Sequence, residues 1–341
     1  MPDIKNGWRT IDAEIRRGRG GRDMLKDGVY FDLDEREYHA ENRLSASAIK
    51  QIAESPTAYW FNSRLNPLFE EKKEGALLDG SLFHAILLEP EAVAERYAIP
   101  PRAVAELNKN STALKTWRAA EETAGRIVVD YQKAKRFQRI ASYLRTDGQV
   151  LDTGIFSGGF PEISILWTES DGIQRKARLD YVSSGRIIDL KTFQKRGGGS
   201  LGEFVRRYFY EYRVHIQLVY YLRALKWAQE NVLPVYGTDA QKEFWDALPP
   251  DPLPFVVFVS RDLPLARIVA FVEEKARDMY QLARDQIAAA ERAYCANVER
   301  YGFNNAWLEI NDGTNADDMV LTDADFPRVF YDRLNAGECE E

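Results

Sequence analysis

The chain has 341 residues, 45% of them hydrophobic, enough to bury a sizeable core as one large domain or as a core with an added helical part. No run of about 18 apolar residues and no apolar secretory leader occurs, and with only Cys295 and Cys339 neither a four-thiolate zinc site, an iron–sulfur cluster nor a disulfide framework can form; the expected setting is the cytoplasm, with no membrane. The net charge of −7 has the wrong sign for a polyanion held over the whole surface, so a nucleic-acid partner would need a local basic segment.

Residues 1–28 are rich in glycine and arginine and poor in large apolar residues, the composition of a flexible basic arm. LSASAIKQIAESPTAYWFN predicts a helix: Ser45 or Ser47 is a fitting N-cap, Ile49, Ile52 and Ala53 recur at helical spacing, and Pro56 ends or restarts it. GALLDGSLFHAILLEPEAVAERY predicts a second helix with Leu78, Leu82, Ala85 and Ile86 on one face and Pro90 as its stop. A third helical region runs from STALKTW to about Leu144.

Near Val150 the period becomes alternating. FPEISILWTESDGIQRKARLDYVSSGRIIDLKTF reads as three strands joined by turns at Glu169–Gly172 and Ser183–Gly185, an antiparallel meander. The loop KRGGGSLG then precedes one long helix from about Glu203 to Glu230, two more apolar runs, PFVVFVS and LARIVAFV, and a helix from about Glu273 to Val298. This order describes an α/β (α+β) fold: a central mixed sheet with an antiparallel meander, flanked by helices, plus an N-terminal helical region. The expected division is a basic arm at 1–28, an N-terminal helical part at 29–150 that contributes the helix of His84, a core at 151–303 and an acidic tail at 304–341.

Charge is unevenly spread. From Glu309 to Glu341 ten acids face two arginines, leaving the rest of the chain near +1. Between Gly172 and Arg223 eleven Lys and Arg stand against four acids, two of which are Asp180 and Asp189. Such a segment could hold a polyanion, because exposed charges are screened beyond about 10 Å at moderate salt; a solvated basic face is the other reading.

Alternation puts Asp189 and Lys191 on one face of their strand, and Asp180 with Arg178 and Lys176 on one face of the preceding strand. The short SSG turn lets Asp180 and Asp189 lie on adjacent strands within reach of one ion. Two carboxylates that close repel unless a cation or proton sits between them, and a hard divalent cation such as Mg²⁺ answers that need. Lys191 beside it could orient water or neutralise charge on a phosphate, the parts of a phosphodiester hydrolase. The same three residues could instead form a structural ion pair near a strand end.

Asp180 followed by Asp189-Leu-Lys191 resembles the PD-(D/E)XK nuclease motif. EREYHAENRLSASAIKQIAESPTAYWF, GSLFHAILLEP, PEISILW, KARLDYV, IIDLKT and YEYRVHIQLVYYL are, in that order, similar to the RecE-type exodeoxyribonuclease VIII nuclease domain, a relative of lambda exonuclease and the RecB nuclease domain. The resemblance spans about Tyr30 to Phe303. It implies that His84 is the active-site histidine, Glu162 the acidic position of the first strand, Asp180 and Asp189 metal ligands together with His84, Lys191 the catalytic lysine, and Gln217 with Tyr221 a polar pair facing the site. Helical spacing separately places Tyr210, Val214, Gln217 and Tyr221 on one face. His84 could equally be a satisfied histidine beside an apolar face, and Glu162 a solvent-facing strand residue. The motif's usual proline is absent before the second carboxylate, where the strand reads Ile187-Ile188-Asp189.

By this resemblance the chain is expected to be a Mg²⁺-dependent exonuclease, with Mn²⁺ able to substitute, encoded by a bacterium or phage. It would degrade one strand of linear duplex DNA from the 5′ end and leave a 3′ tail for a single-strand annealing or recombination partner. Arg178, Lys195, Arg196, Arg206 and Arg207 are the expected DNA contacts, holding phosphates without base readout. A ring-forming homo-oligomer is implied as well. A structure-specific or nicking endonuclease of the same core, or an inactive DNA-binding module, are the competing expectations. KRGGGSLG lacks the GxxxxGK[ST] pattern of a phosphate-binding loop; it could track a DNA backbone or serve as a linker.

Overall fold

The computed structural model of the chain describes residues 24–69, 75–108, 110–146, 148–194 and 200–308. Most of the expected basic arm and acidic tail, and Lys195 and Arg196, therefore lie outside the described residues.

Among the described residues the first element is a strand that the sequence did not announce, β1 (Gly28–Tyr30). Gly28 is required there: a Cβ would stand 2.6 Å from the Tyr236 ring and 2.9 Å from the Pro234 carbonyl. Helix α1 (Glu35–Ala40) is capped by Asp34, α2 (Ala46–Glu54) by Ser45, and α3 (Pro56–Phe61) by Ser55 with Pro56 in its first turn, where no N–H is needed. Next come α4 (Gly75–Leu88), α5 (Val93–Arg96), β2 (Tyr97–Ala98), α6 (Arg102–Ala105), α7 (Thr112–Thr123), β3 (Ile127–Val128) and α8 (Tyr131–Leu144). The single helical region expected up to Leu144 is thus divided. Gly125, at φ +79°, turns the chain out of α7, β3 pairs in parallel with β2, and Asp130 caps α8.

The meander follows the sequence closely as β4 (Gly159–Thr168), β5 (Gln174–Ser183) and β6 (Arg186–Phe193). The long helix expected from Glu203 to Glu230 is instead two, α9 (Leu201–Glu211) and α10 (Val214–Glu230). Arg213 breaks it by adopting a left-handed conformation at φ +47°, and its guanidinium donates to the Lys50 carbonyl. Neither glycine nor proline marks this corner. Then come β7 (Val235–Tyr236), α11 (Asp239–Asp246), β8 (Leu253–Ser260), β9 (Ala266–Ala270), a 3₁₀ turn at Glu273–Lys275 and α12 (Arg277–Tyr301).

The seven-stranded sheet runs β7-β1-β4-β5-β6-β8-β9, parallel at β1–β7 and β6–β8 and antiparallel elsewhere. One face, through Ile163, Ile165, Trp167, Leu179 and Ile187, packs against α2, α3, α10 and α12. The other, through Tyr181, Ile188, Leu190, Val257 and Val259, packs against α4 and α8. Residues 29–150 therefore supply helices to both faces and, through β1, a strand to the sheet itself. Among the described residues no helix is long and apolar enough to cross a membrane.

Candidate active site

The site begins where strand pairing fails. Between β4 and β5 the ladder pairs Pro161 with Tyr181 and Ile163 with Leu179, and skips the intervening pair Glu162 and Asp180. Glu162 sits there at φ +54°, a left-handed conformation uncommon for a residue other than glycine. Beyond this point β5 changes face: Leu179 and Val182 join one core while Tyr181 joins the other, so strict alternation is lost around Asp180. Between β5 and β6 the ladder runs from Ser183–Arg186 to Tyr181–Ile188 and ends just before Asp180 would meet Asp189.

Side chains fill the gap. Leu190 N–H donates to Asp180 Oδ2 at 2.7 Å, and His84 Nε2, from α4, donates to the Leu190 carbonyl at 2.8 Å. The Leu190 peptide is thus clamped at both polar atoms, which fixes the directions of Asp189 and Lys191 on either side of it. A carbonyl only accepts, so Nε2 is the protonated nitrogen in this contact. His84, Glu162 and Asp180 bring one ligand atom each to within 4.8 Å of one another. Arg178 Nε donates to Glu162 Oε2 at 2.5 Å and Arg178 Nη1 to the Leu33 carbonyl at 3.1 Å, so Arg178 orients Glu162.

Asp189 lies outside that trio. Its side chain is fully buried, and Oδ1 accepts from Lys191 Nζ at 2.8 Å and from Gln217 Nε2 at 2.7 Å. Gln217 Nε2 also donates to the Tyr221 hydroxyl at 2.8 Å, the i, i+4 pair that helical spacing on α10 predicts. Tyr210 does not share this face; the corner at Arg213 turns it out to solvent, 77% exposed. One residue that the sequence reading passed over completes the array: Lys50 of α2 donates to Gln217 Oε1 at 2.9 Å. With its oxygen facing an ammonium and its amide facing a carboxylate and a hydroxyl, Gln217 has one orientation that satisfies every partner.

The electrostatics follow from burial. Burial first, and Asp189 next, push the Asp180 carboxyl up to about 7, while His84 and Lys191 pull it back. Burial, with help from Lys191, lowers the Lys50 ammonium to about 7. Burial works against the Lys191 ammonium too, but Asp189 and Asp180 outweigh it and hold that group above the ordinary lysine value. Asp189 Oδ2 remains buried with no hydrogen-bond partner. An orphaned carboxylate oxygen near two further carboxylates and an imidazole is a donor set that suits a divalent cation. The sequence reading put Asp180 and Asp189 on one ion; here Asp180 instead groups with His84 and Glu162, and Asp189 offers only its orphaned oxygen.

His84, Glu162, Asp180 and Lys191 border a cavity of about 430 Å³ whose wall also includes Ser81, Arg96, Thr192, Tyr208 and Arg261. Arg206 and Arg207 are exposed on α9, as DNA contacts must be, but the basic segment as a whole is not an exposed face. Arg175 is fully buried among Asp171 and Glu291, Lys176 donates to the carbonyls of Tyr38 and Glu41, and Arg223 is bound by Glu169 and Glu291. A count of charges within the segment leaves these partners out: Glu169 and Asp171 stand just before it, Glu291 lies far along the chain, and Lys176 is met by backbone carbonyls.

A sheet whose ladders open to converge acidic groups, with a lysine two residues past the second aspartate, is the plan of the PD-(D/E)XK nuclease superfamily. Residues 45–244 match the family described as PDDEXK-like domain of unknown function (DUF3799), and the chain belongs to that family. No curated protein matches the chain. Among solved structures it is similar to a protein from Eubacterium rectale described as a candidate exonuclease, at 16% identity over 77% of this chain and 86% of that one, with a TM-score of 0.45.

Proposed function

We propose that this protein is a divalent-metal-dependent exodeoxyribonuclease acting on the ends of linear double-stranded DNA. The observation that carries the reading is the convergence of His84, Glu162 and Asp180 beside the Asp189–Lys191 pair. Mg²⁺, the cation we propose, with Mn²⁺ as a substitute, supplies Lewis acidity toward a phosphodiester and its attacking water. His84, Glu162 and Asp180 would hold it, with Asp189 Oδ2 as a further donor. Lys191 keeps its proton beside two carboxylates and places a fixed positive charge where a phosphorane-like charge grows. Gln217, locked by Lys50 and Tyr221, holds the Asp189 carboxylate still, and Arg261 and Arg96 line the cavity that receives the phosphate.

The resemblance to RecE-type nucleases supports the finer parts of the proposal: attack from the 5′ end, a 3′ single-stranded product passed to an annealing or recombination partner, a ring of subunits, and a cytoplasmic setting. Arg206 and Arg207, with Lys195 and Arg196, are proposed to hold DNA phosphates. Incubating end-labelled linear duplex and closed circular DNA with Mg²⁺ tests the reading. Wild-type protein should consume the linear form alone, and Lys191→Ala, folded by circular dichroism, should leave both intact; cutting of the circle would assign an endonuclease instead.

A further inference from the structure

Four aromatic rings lead outward from β6. Phe193, buried at the end of that strand, lies 4.5 Å from Phe204; Phe204 lies 5.8 Å from Tyr208; and Tyr208 stacks on Tyr212 at 4.1 Å with 24° between the ring planes. Tyr208 is held edge-on by Phe258 at 5.4 Å and forms part of the cavity wall together with Lys191 and Arg261. Tyr212, the last ring, closes α9 and is 57% exposed.

Burial does not account for that last ring. Packing gains from an aromatic side chain scale with the area removed from water, and more than half of Tyr212 stays in water. The stack nevertheless fixes its plane, so its outer face is offered in one orientation with little rotamer freedom left to lose on binding. A flat, preorganised π face, next to a cavity walled by an ammonium and a guanidinium, matches the chemistry of an unpaired nucleotide: base on the ring, phosphate toward the cations. A paired base inside a duplex has both faces covered already and could not use it.

Resting on the nuclease reading above, we infer that Tyr212, stacked on Tyr208 at the cavity wall, is a platform for an unpaired base of the DNA strand next to the cavity. Arg261 and Lys191 face that strand's phosphates, and the platform selects tailed or frayed ends over blunt ones.

Equilibrium binding in EDTA, where no strand is cut, tests it. The probes are a blunt duplex and the same duplex with a short unpaired tail carrying 2-aminopurine. Wild-type protein should quench the tail fluorescence; Tyr212→Ala should abolish the quench and weaken tailed-duplex binding about tenfold, within the range for losing one base–aromatic stack. Blunt-duplex binding should shift less than twofold, and Tyr212→Phe should behave as wild type. Wild-type quench and affinity in Tyr212→Ala, or an equal loss for blunt and tailed DNA, would overturn the platform. If wild-type protein cleaves linear DNA while Tyr212→Ala is indistinguishable in binding, the platform alone falls. If wild-type protein neither binds nor cleaves DNA, the nuclease reading falls and takes the platform with it.

Discussion

At the scale of single residues, Lys50 has the most to say about the site. It touches no proposed metal ligand, yet it fixes which end of Gln217 meets Asp189. Without the ammonium, the amide can flip and set its oxygen against the Asp189 carboxylate, two acceptors facing each other. Lys50→Met should therefore fold normally and cleave linear duplex about tenfold more slowly, with a higher Mg²⁺ concentration for half-maximal rate, the usual size of effect for groups that orient a metal site at one remove. A metal titration of cleavage rate checks this; an unchanged titration curve would mean that Gln217 holds its orientation unaided. Asp180, Asp189 and Lys191 were legible in the sequence because strand alternation and the short turn between β5 and β6 bring them to neighbouring positions, in a spacing that matches a known motif. Lys50 was not, since a lysine on the polar side of a short helix looks solvated until α10 is placed against it. Glu162 was legible as an acid but not as a left-handed residue, for nothing in PEISILW carries the glycine or asparagine that such a backbone usually requires.

At the scale of elements, the end of α10 is built against local preference. Leu233 N–H donates to the Ala228 carbonyl and Val232 N–H to the Gln229 carbonyl, a Schellman-type close that wants glycine or asparagine at position 232. Val232 occupies it at φ +47°, with its side chain 85% exposed and so little packing to offset the strain. Val232→Asn should raise stability by about 1 kcal/mol without altering DNA cleavage, measured by urea denaturation. A loss of stability would show that Val232 makes a contact worth more than its backbone strain. The meander, by contrast, was legible nearly to the residue: the Asp171-Gly172 and Ser184-Gly185 turns, and the alternation that holds as far as Leu179, act locally. The break at Arg213 was not, because its cause is the tertiary hydrogen bond from Arg213 to Lys50 rather than any helix-stopping residue.

At the scale of the whole molecule, a buried charge network ties sheet to helices. Arg175 on β5, fully buried, donates to Glu291 of α12, and Arg223 of α10 bridges Glu291 and Glu169. Removing one member strands the others in a low dielectric, so Glu291→Ala should destabilise the fold by roughly 3 kcal/mol in chemical denaturation, a change far larger than a surface pair would give. Burial opposes ionisation of Glu169 and Asp171, but hydrogen bonds from Arg223 and Trp167 to the first, and from Arg175 and the Ile173 N–H to the second, hold both carboxyls below their ordinary values. A depressed carboxyl stabilises the folded state fully above its unfolded value. Their contribution should therefore be constant at neutral pH and fade as pH falls through the ordinary values of 4.5 and 3.8 toward the lowered ones, a decline that Glu169→Gln should flatten in a pH series of denaturation curves.

Helix α2, the bearer of Lys50, leans on α12, and the Trp60 indole of neighbouring α3 donates to the Phe303 carbonyl at 3.0 Å. Trp307, wholly enclosed, packs against Tyr59 and Tyr294. The scaffold under one wall of the site is thus completed by residues far downstream in the chain, made roughly 10 to 50 s after Lys50 at ordinary elongation rates. Until that downstream stretch has been made, a growing polypeptide lacks the support on which the Lys50 wall of the site rests.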